Sequence, residues 1–496
     1  MVTHPTRPLA ALFAVAIGLL GCKVNENDIE QWKGTIKGPA KMVAVMQSDK
    51  YPEALKVRAA MALVEMERSD VDGIDELSRG MLRLDTEKRA ALITAMAEDL
   101  EQLMRGGSET QAAEGGPPTE LQARAKDAVY ALIDLAPAET KSRFIATLIA
   151  WYSADFNGRN LAGRTSAEQV VRKLGPPAAA KLVEGMSAKI PPAALIKLTQ
   201  LVSETGVGPT RKSAAARIVA IQKEMESQAF MDWLKPRVKE GLQKAGRKTD
   251  EKSVQKAAEG TREIHLSGAL TAMKPLASEE AVQTRLLEIA ATPSKDAKDP
   301  MTQRRELALR ALEGKASEKH LDVLLKLALD PNNPIPVRDT AFDRVGDIGS
   351  KRAIEPLLPL VGNGQDQRLR WRAGELVLSI GGADILGTFF SRLPGGATQY
   401  EPEELDGYAT RMGDMTPAPR AVALERLRSP SWWERVIALR YLARKGTKAD
   451  VPAMQALSGS KDAVAGKNWK NFDWKTVGDV AKESVKDAES RLGMKR

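Results

Sequence analysis

Side chains suited to chemistry are few and scattered in this sequence. It holds one cysteine, Cys22, and three histidines, of which His265 and His320 stand far apart with no carboxylate arrangement beside them. Soft-metal and iron–sulfur sites need several such ligands together and a disulfide needs two thiols, so these classes are excluded and no cofactor is expected. The segment Gly206-Val207-Gly208-Pro209-Thr210-Arg211-Lys212-Ser213 has the outline of a phosphate loop. That loop requires Gly immediately before Lys so that backbone amides can wrap the phosphates, and Arg211 takes the place; Pro209 and the residues from Lys212 to Ile221 read instead as a helix start. Ser253 with Lys256, and Ser458 with Lys461, fit a Ser-x-x-Lys nucleophile pair, but the companion Lys-Thr-Gly is missing. What remains is the Cys22 thiol and one carboxylate, Glu226, followed by Ser227.

Cys22 closes an apolar run. The chain opens with Arg7 and prolines, is apolar from Leu9 to Leu20, and then reads Leu19-Leu20-Gly21-Cys22. A short positive start, about a dozen apolar residues and a small residue describe a secretory signal peptide, too short to span a bilayer as a mature helix. The segment resembles the lipobox of bacterial lipoproteins. The resemblance implies cleavage after Gly21, lipidation of Cys22 and stable membrane attachment by several acyl chains. It implies a place in the bacterial cell envelope with the body facing the periplasm; Lys23 after the cysteine favours the outer membrane over the inner and leaves the leaflet open. Beyond this leader no apolar run is long enough to cross a membrane.

The elements that must carry everything else are helices. Only 4% of the chain is aromatic while 28% is charged, a balance favouring helix over strand. Leu321, Leu324, Leu325 and Ala328 share one helical face, and Asp330-Pro331-Asn332-Asn333-Pro334 breaks it. Val337-Arg338 opens a second helix with Ala341 and Val345 inward, closed by Gly346 and Gly349. Ile354, Leu357, Leu358 and Val361 make the next face, and Arg370-Trp371-Arg372 opens the next partner. Arg305, Arg338 and Arg372 stand 33 and 34 residues apart, and Gly346 and Gly381 are 35 apart. Two helices and two short turns per unit is a helical-repeat period. Asp330, Pro336, Val337, Arg338 and Ala341 resemble HEAT repeats. The resemblance implies an Asp–Arg ladder between neighbouring repeats, carried here to Asp330 and Arg338 and to Asp366 and Arg372.

Fainter echoes occur at Val57-Arg58, Ala123-Arg124, Val170 to Gly175, Arg211 to Ile221 and Trp432 to Gly446. The expected organisation is a signal peptide at 1–21, a lipidated tether at 22–48, weak helical repeats at 49–230 and an irregular helical connector at 231–280. HEAT-like repeats follow at 281–460, with an insertion near 393–419, and a capping helix at 461–496. Gly-, Pro- and Ser-rich residues from Arg105 to Glu120 predict a mobile loop. The fold class is all-α: an α-solenoid of HEAT-like helix pairs behind an N-terminal lipoprotein signal peptide.

Charge is uneven. The net charge of +9 comprises +1 from Arg7, −6 over 23–120, +6 over 121–419 and +8 over 420–496. Nucleic acid, the common partner of a basic segment, does not fit an exported lipoprotein; an acidic surface or glycan does. The same C-terminal segment holds Trp432, Trp433, Trp469 and Trp474, half of the eight tryptophans, which either cap the last repeat or anchor a partner. The candidate partner-binding residues are Arg338, Arg370, Trp371, Arg372, Trp432, Trp433 and Arg435. One enzymatic alternative stands beside this scaffold reading. Glu226-Ser227-Gln228-Ala229-Phe230 is similar to the Glu-Ser-x-Phe of lytic transglycosylases, with Phe one residue late, and implies a peptidoglycan-cleaving general acid that needs a closed cleft.

Overall fold

The computed structural model describes residues 24–67, 71–106, 118–154, 156–159, 161–395, 398–464, 472 and 474–494. The leader, Cys22, Trp469 and most of the Arg105–Glu120 segment lie outside the described residues. Among those described, every regular element is helical, and the only extended pairing is an isolated bridge between Ala463 and Thr476. The chain forms two compact units, Met1–Glu279 and Glu280–Arg496.

The first unit contains α1 (Glu26–Trp32), α2 (Gly38–Gln47), α3 (Glu53–Glu65), α4 (Gly73–Leu82), α5 (Thr86–Arg105), α6 (Glu120–Leu132) and α7 (Ala138–Ala154). It continues with α8 (Phe156–Arg159), α9 (Ala167–Leu174), α10 (Pro176–Gly185), α11 (Pro192–Thr205), α12 (Gly208–Glu226), α13 (Gln228–Lys244) and α14 (Glu251–Met273). Side-chain caps and first-turn prolines set the starts. Asp85 accepts from the Lys88 amide at 2.8 Å and Ser166 forms a capping box with Gln169, while Pro192 and Pro209 sit where no amide donor is needed. Gly106, at φ 84°, closes α5 in the left-handed region that favours glycine. The apolar faces are rich in alanine: α3 buries Ala59, Ala60 and Ala62 beside Leu55, Leu63 and Val64. Small residues let helix axes approach closely, and each fully buried leucine adds about 1.5–3 kcal/mol.

Two expectations need correction here. Residues 24–48 are no simple tether, because α1 and α2 bury Ile29, Met42, Val43 and Met46 against α3 and α4. Nor is 231–280 irregular: it contains α14, the longest helix among the described residues, 23 residues from Glu251 to Met273. The repeat spacing disappears there because α13 and α14 pack as one long antiparallel hairpin.

The second unit is an α-solenoid of HEAT-like helix pairs: α15 (Glu280–Ala291) with α16 (Pro300–Ala311), α17 (Leu321–Leu329) with α18 (Ile335–Ile348), α19 (Ile354–Val361) with α20 (Gln367–Gly381), α21 (Leu386–Arg392) with α22 (Pro402–Gly413), α23 (Arg420–Arg426) with α24 (Trp432–Lys445), and α25 (Val451–Gln455) with α26 (Val477–Arg491). The second helices pack in an unbroken row, α16 on α18, α20, α22, α24 and α26 in turn. The expected insertion near 393–419 therefore belongs to a repeat, formed by α21 and α22. Its first helix is short and its second, α22, buries Leu405, Tyr408, Ala409 and Met412. The stretch Gln367–Arg392 is long and apolar enough to cross a membrane by length and composition. It breaks at Gly382, φ 61°, into α20 and α21, whose apolar residues Leu376, Val377, Leu378, Phe389 and Phe390 are core.

Candidate protein-binding surface

Arginines recur near the start of the second helices, and what they hold is mostly backbone. The last carbonyls of a helix lack intrahelical donors and carry partial negative charge. Arg305 Nε donates to the Ala290 carbonyl at 2.8 Å, Arg338 Nε to that of Ala328 at 3.1 Å, and Arg124 reaches the Met66 carbonyl after α3. Arg338 thus closes α17 and makes no ion pair with Asp330. Asp330 instead accepts from the backbone and side chain of Asn332 at 2.9 and 3.0 Å, fixing the turn. Asp366 caps α20 through the Leu369 amide at 3.0 Å. Neither expected Asp–Arg pair forms.

A ladder exists nonetheless, one helix further on. Asp339 and Asp343 of α18 pair closely with Arg368 and Arg372 of α20. Glu375 of α20 faces Arg411 of α22 at 3.8 Å. Asp406 of α22 takes Arg440 of α24 at 2.8 Å, and Arg444 beside it. Arg440 in turn reaches Asp487 of α26 at 3.1 Å. Burial works against the Asp406 carboxylate, but the two guanidiniums outweigh it and hold its pKa below the usual range.

Beneath this row lies a fully buried pair. Arg370 Nε and Nη2 meet the two Glu404 oxygens at 2.7 and 2.8 Å, a bidentate contact with both side chains at 0% exposure. The Tyr408 hydroxyl donates to Glu404 at 2.9 Å, and the Arg370 guanidinium lies 4.5 Å from the Tyr400 ring centre. Burial raises the Glu404 carboxyl from its ordinary value although Arg370 and Tyr408 both hydrogen-bond to it.

The candidate partner-binding residues therefore divide. Arg370 is corrected from surface to core. Trp433 is corrected likewise: 9% exposed, it stacks on Tyr400 with ring centres 5.5 Å apart. Trp432 meets both rings edge-on at 5.8 Å. Arg435, with a side chain only 13% exposed, pairs with Asp462 at 2.7 Å. Trp474 is buried and donates to Glu483 at 2.5 Å. These groups belong to the packing of the last repeats. Trp371 is half-buried against Gly407 of α22, where a Cβ would come within 3.0 Å of the indole nitrogen, and Arg372 is held by Asp343. Arg338 keeps part of its surface. Glu226 is exposed at the end of α12 and accepts from Gln222 at 2.9 Å, while Ser227 caps α13; the closed surroundings a general acid requires are missing from it.

The concavity that sequence reasoning missed lies in the first unit. A groove of about 900 Å³ runs between α3, α5 and the start of α6, with apolar walls from Ala54, Val57, Met61, Ala95, Leu103 and Leu121. Glu26, Glu53 and Asp99 stand at its edge and form no ion pair among the described residues. Glu65, also on the groove, is engaged: Arg58 and Lys33 each approach to 2.9 Å, and their hydrogen bonds hold its pKa down against burial. The only advance signal was the net charge of −6 over 23–120 in a basic protein.

In the second unit, paired helices at this period stack as an all-α solenoid of HEAT-like repeats, an architecture typical of protein-binding scaffolds. The family model for HEAT repeats matches residues 295–377. No curated protein matches the chain. Among solved structures, Kap121p bound to Pho4p is similar at 11% identity and a TM-score of 0.35, over 96% of this chain and 51% of that one. Unbound Kap121p gives 12% and 0.36 over 96% and 50%, and importin beta 12% and 0.24 over 94% and 64%. The chain spans about half the length of the Kap121p chains.

Proposed function

We propose that this protein is a non-catalytic scaffold, anchored in the bacterial envelope through Cys22, which captures a protein partner in the groove between α3, α5 and α6. The groove carries the reading. It is of the size that encloses a few side chains, its walls are apolar, and the acids at its edge are uncompensated. The segment that fits is apolar and flanked by Lys or Arg: burial of its apolar residues supplies affinity, and the acids steer and orient it. The lipobox resemblance supports the anchor, holding the groove near the membrane where an envelope partner is met.

The test is photo-crosslinking in intact cells from an unnatural residue at Ala95, which is exposed on the groove wall. A discrete protein adduct is expected, lost on Ala54→Arg and reduced at least tenfold by Glu53→Lys with Asp99→Lys. Both acids are exposed, so the charge reversals leave the fold intact. An adduct unchanged by these substitutions, or none at all, removes the groove as the binding site. Cys22→Ser separately tests the anchor, by loss of the protein from the membrane fraction.

A further inference from the structure

The hairpin of α13 and α14 is built unlike the rest of its unit. Between Lys235 and Lys256 only Val254 is buried, so some 15 Å of α13 beyond Leu234 and the first turns of α14 project with little but each other to pack on. Gly246, at φ 64°, turns the chain at the tip.

This arm carries eight cations, Lys235, Arg237, Lys239, Lys244, Arg247, Lys248, Lys252 and Lys256, against three acids. Two of the acids are occupied locally: Glu240 pairs with Lys244 at 2.9 Å, and Asp250 caps α14 through the Ser253 amide at 3.0 Å. Lys235, Lys239, Arg247, Lys248, Lys252 and Lys256 have no ion pair among the described residues. Holding like charges together on a thin hairpin costs self-repulsion, which an external anion relieves.

We infer that this arm docks onto an anionic phospholipid surface through the cations around its tip. The shape selects lipid over nucleic acid. A single strand is bound in a groove with aromatic platforms for its bases, whereas the arm ends in a convex tip. Its one aromatic ring, Trp233, stands at the base and is covered by Arg237 at 4.3 Å. A convex cluster of unpaired cations matches a flat array of phosphate headgroups, where each basic residue raises binding roughly fivefold at low salt. The inference does not depend on the groove, and it uses the anchor only to bring the arm to a membrane.

The test places an environment-sensitive dye on Ala245→Cys in the full chain, reconstituted into vesicles, with the dye-treated parent chain subtracting any label at Cys22. A blue-shifted dye signal is expected in vesicles of phosphatidylcholine with phosphatidylglycerol, absent in phosphatidylcholine alone and reversed by high salt. Charge reversal at Arg247, Lys248, Lys252 and Lys256, all exposed, should lower the anionic response by a hundredfold or more while circular dichroism stays unchanged. An identical signal in neutral and anionic vesicles, or one indifferent to charge reversal, overturns the inference. So does tight retention of duplex DNA at physiological salt through the same four residues.

Discussion

Two parts of this chain carry abundant charge and use it in opposite ways. Along α18 to α26, cations on successive second helices repeatedly meet a carboxylate of the neighbouring second helix, as with Asp343–Arg372, Asp406–Arg440 and Arg440–Asp487. On the α13–α14 arm, six cations meet none. Paired charges between successive helices specify which helix stacks on which and in what register. Unpaired ones add nothing to the fold and leave their field for something outside it. Charge counted along a sequence cannot separate the two uses, whereas the partner of each side chain can.

The comparison breaks first, if it is wrong, at the buried pair. Glu404→Gln leaves the Arg370 guanidinium desolvated and uncompensated at 0% exposure, which should cost about 3–5 kcal/mol. The expected result in urea denaturation is an early transition for the second unit while the first keeps its midpoint. Replacing both partners with apolar residues, Arg370→Met with Glu404→Leu, should recover much of the loss. A cost below about 1 kcal/mol for Glu404→Gln would show that the pair does not hold α20 to α22.

Acid sharpens the contrast. Asp406 has a folded pKa depressed below its ordinary 3.8 by Arg440 and Arg444 acting against burial. A depressed carboxylate contributes stability that is complete above the unfolded value and lost as pH falls through the folded one. Asp406→Asn should therefore cost about 2 kcal/mol at pH 7 and flatten the decline in stability below pH 4. An unaltered acid limb in a pH series of urea midpoints would remove Asp406 from the ladder.

The sequence disclosed the period of this fold and not its partners. Leu321, Leu324, Leu325 and Ala328 had to form a helical face, and Arg338 had to matter to a repeat. Which group Arg338 touches depends on the register between helices, and short-range pattern says nothing of that. A usable signal was present at longer range. Asp339 and Asp343 stand four apart, as do Arg368 and Arg372, and the two pairs are offset by 29 residues; Arg370 and Glu404, and Asp406 and Arg440, are both offset by 34. Opposite charges one repeat apart, in matching positions, mark a ladder rather than a binding face. Replacing Arg372 by Glu therefore strikes Asp343 before it touches any partner. The groove left almost no trace, because its walls come from α3, α5 and α6, whose apolar residues look like core until their exposure is known. The arm left a clear trace that pointed the wrong way: losing the 33–35-residue spacing after Met231 suggested irregularity, when it marks a hairpin leaving the stack.

The smallest effect is expected where charge is densest in sequence. Reversing Arg247, Lys248, Lys252 and Lys256 removes no hydrogen bond or ion pair from the described structure and exposes no apolar surface, so the usual causes of large destabilisation are absent. The change in unfolding free energy should stay within about 0.5 kcal/mol, and its sign should be stabilising at low salt, because four of eight crowded cations become acids. Salt decides the matter. Interactions between exposed charges are screened over a length of about 10 Å at 0.1 M that shortens as salt is added, so the small gain should vanish as ionic strength rises, whereas the parent chain should become slightly more stable. A loss of more than about 1 kcal/mol, or one that salt leaves unchanged, would mean that the arm's cations hold the hairpin together and that the two regions use charge alike.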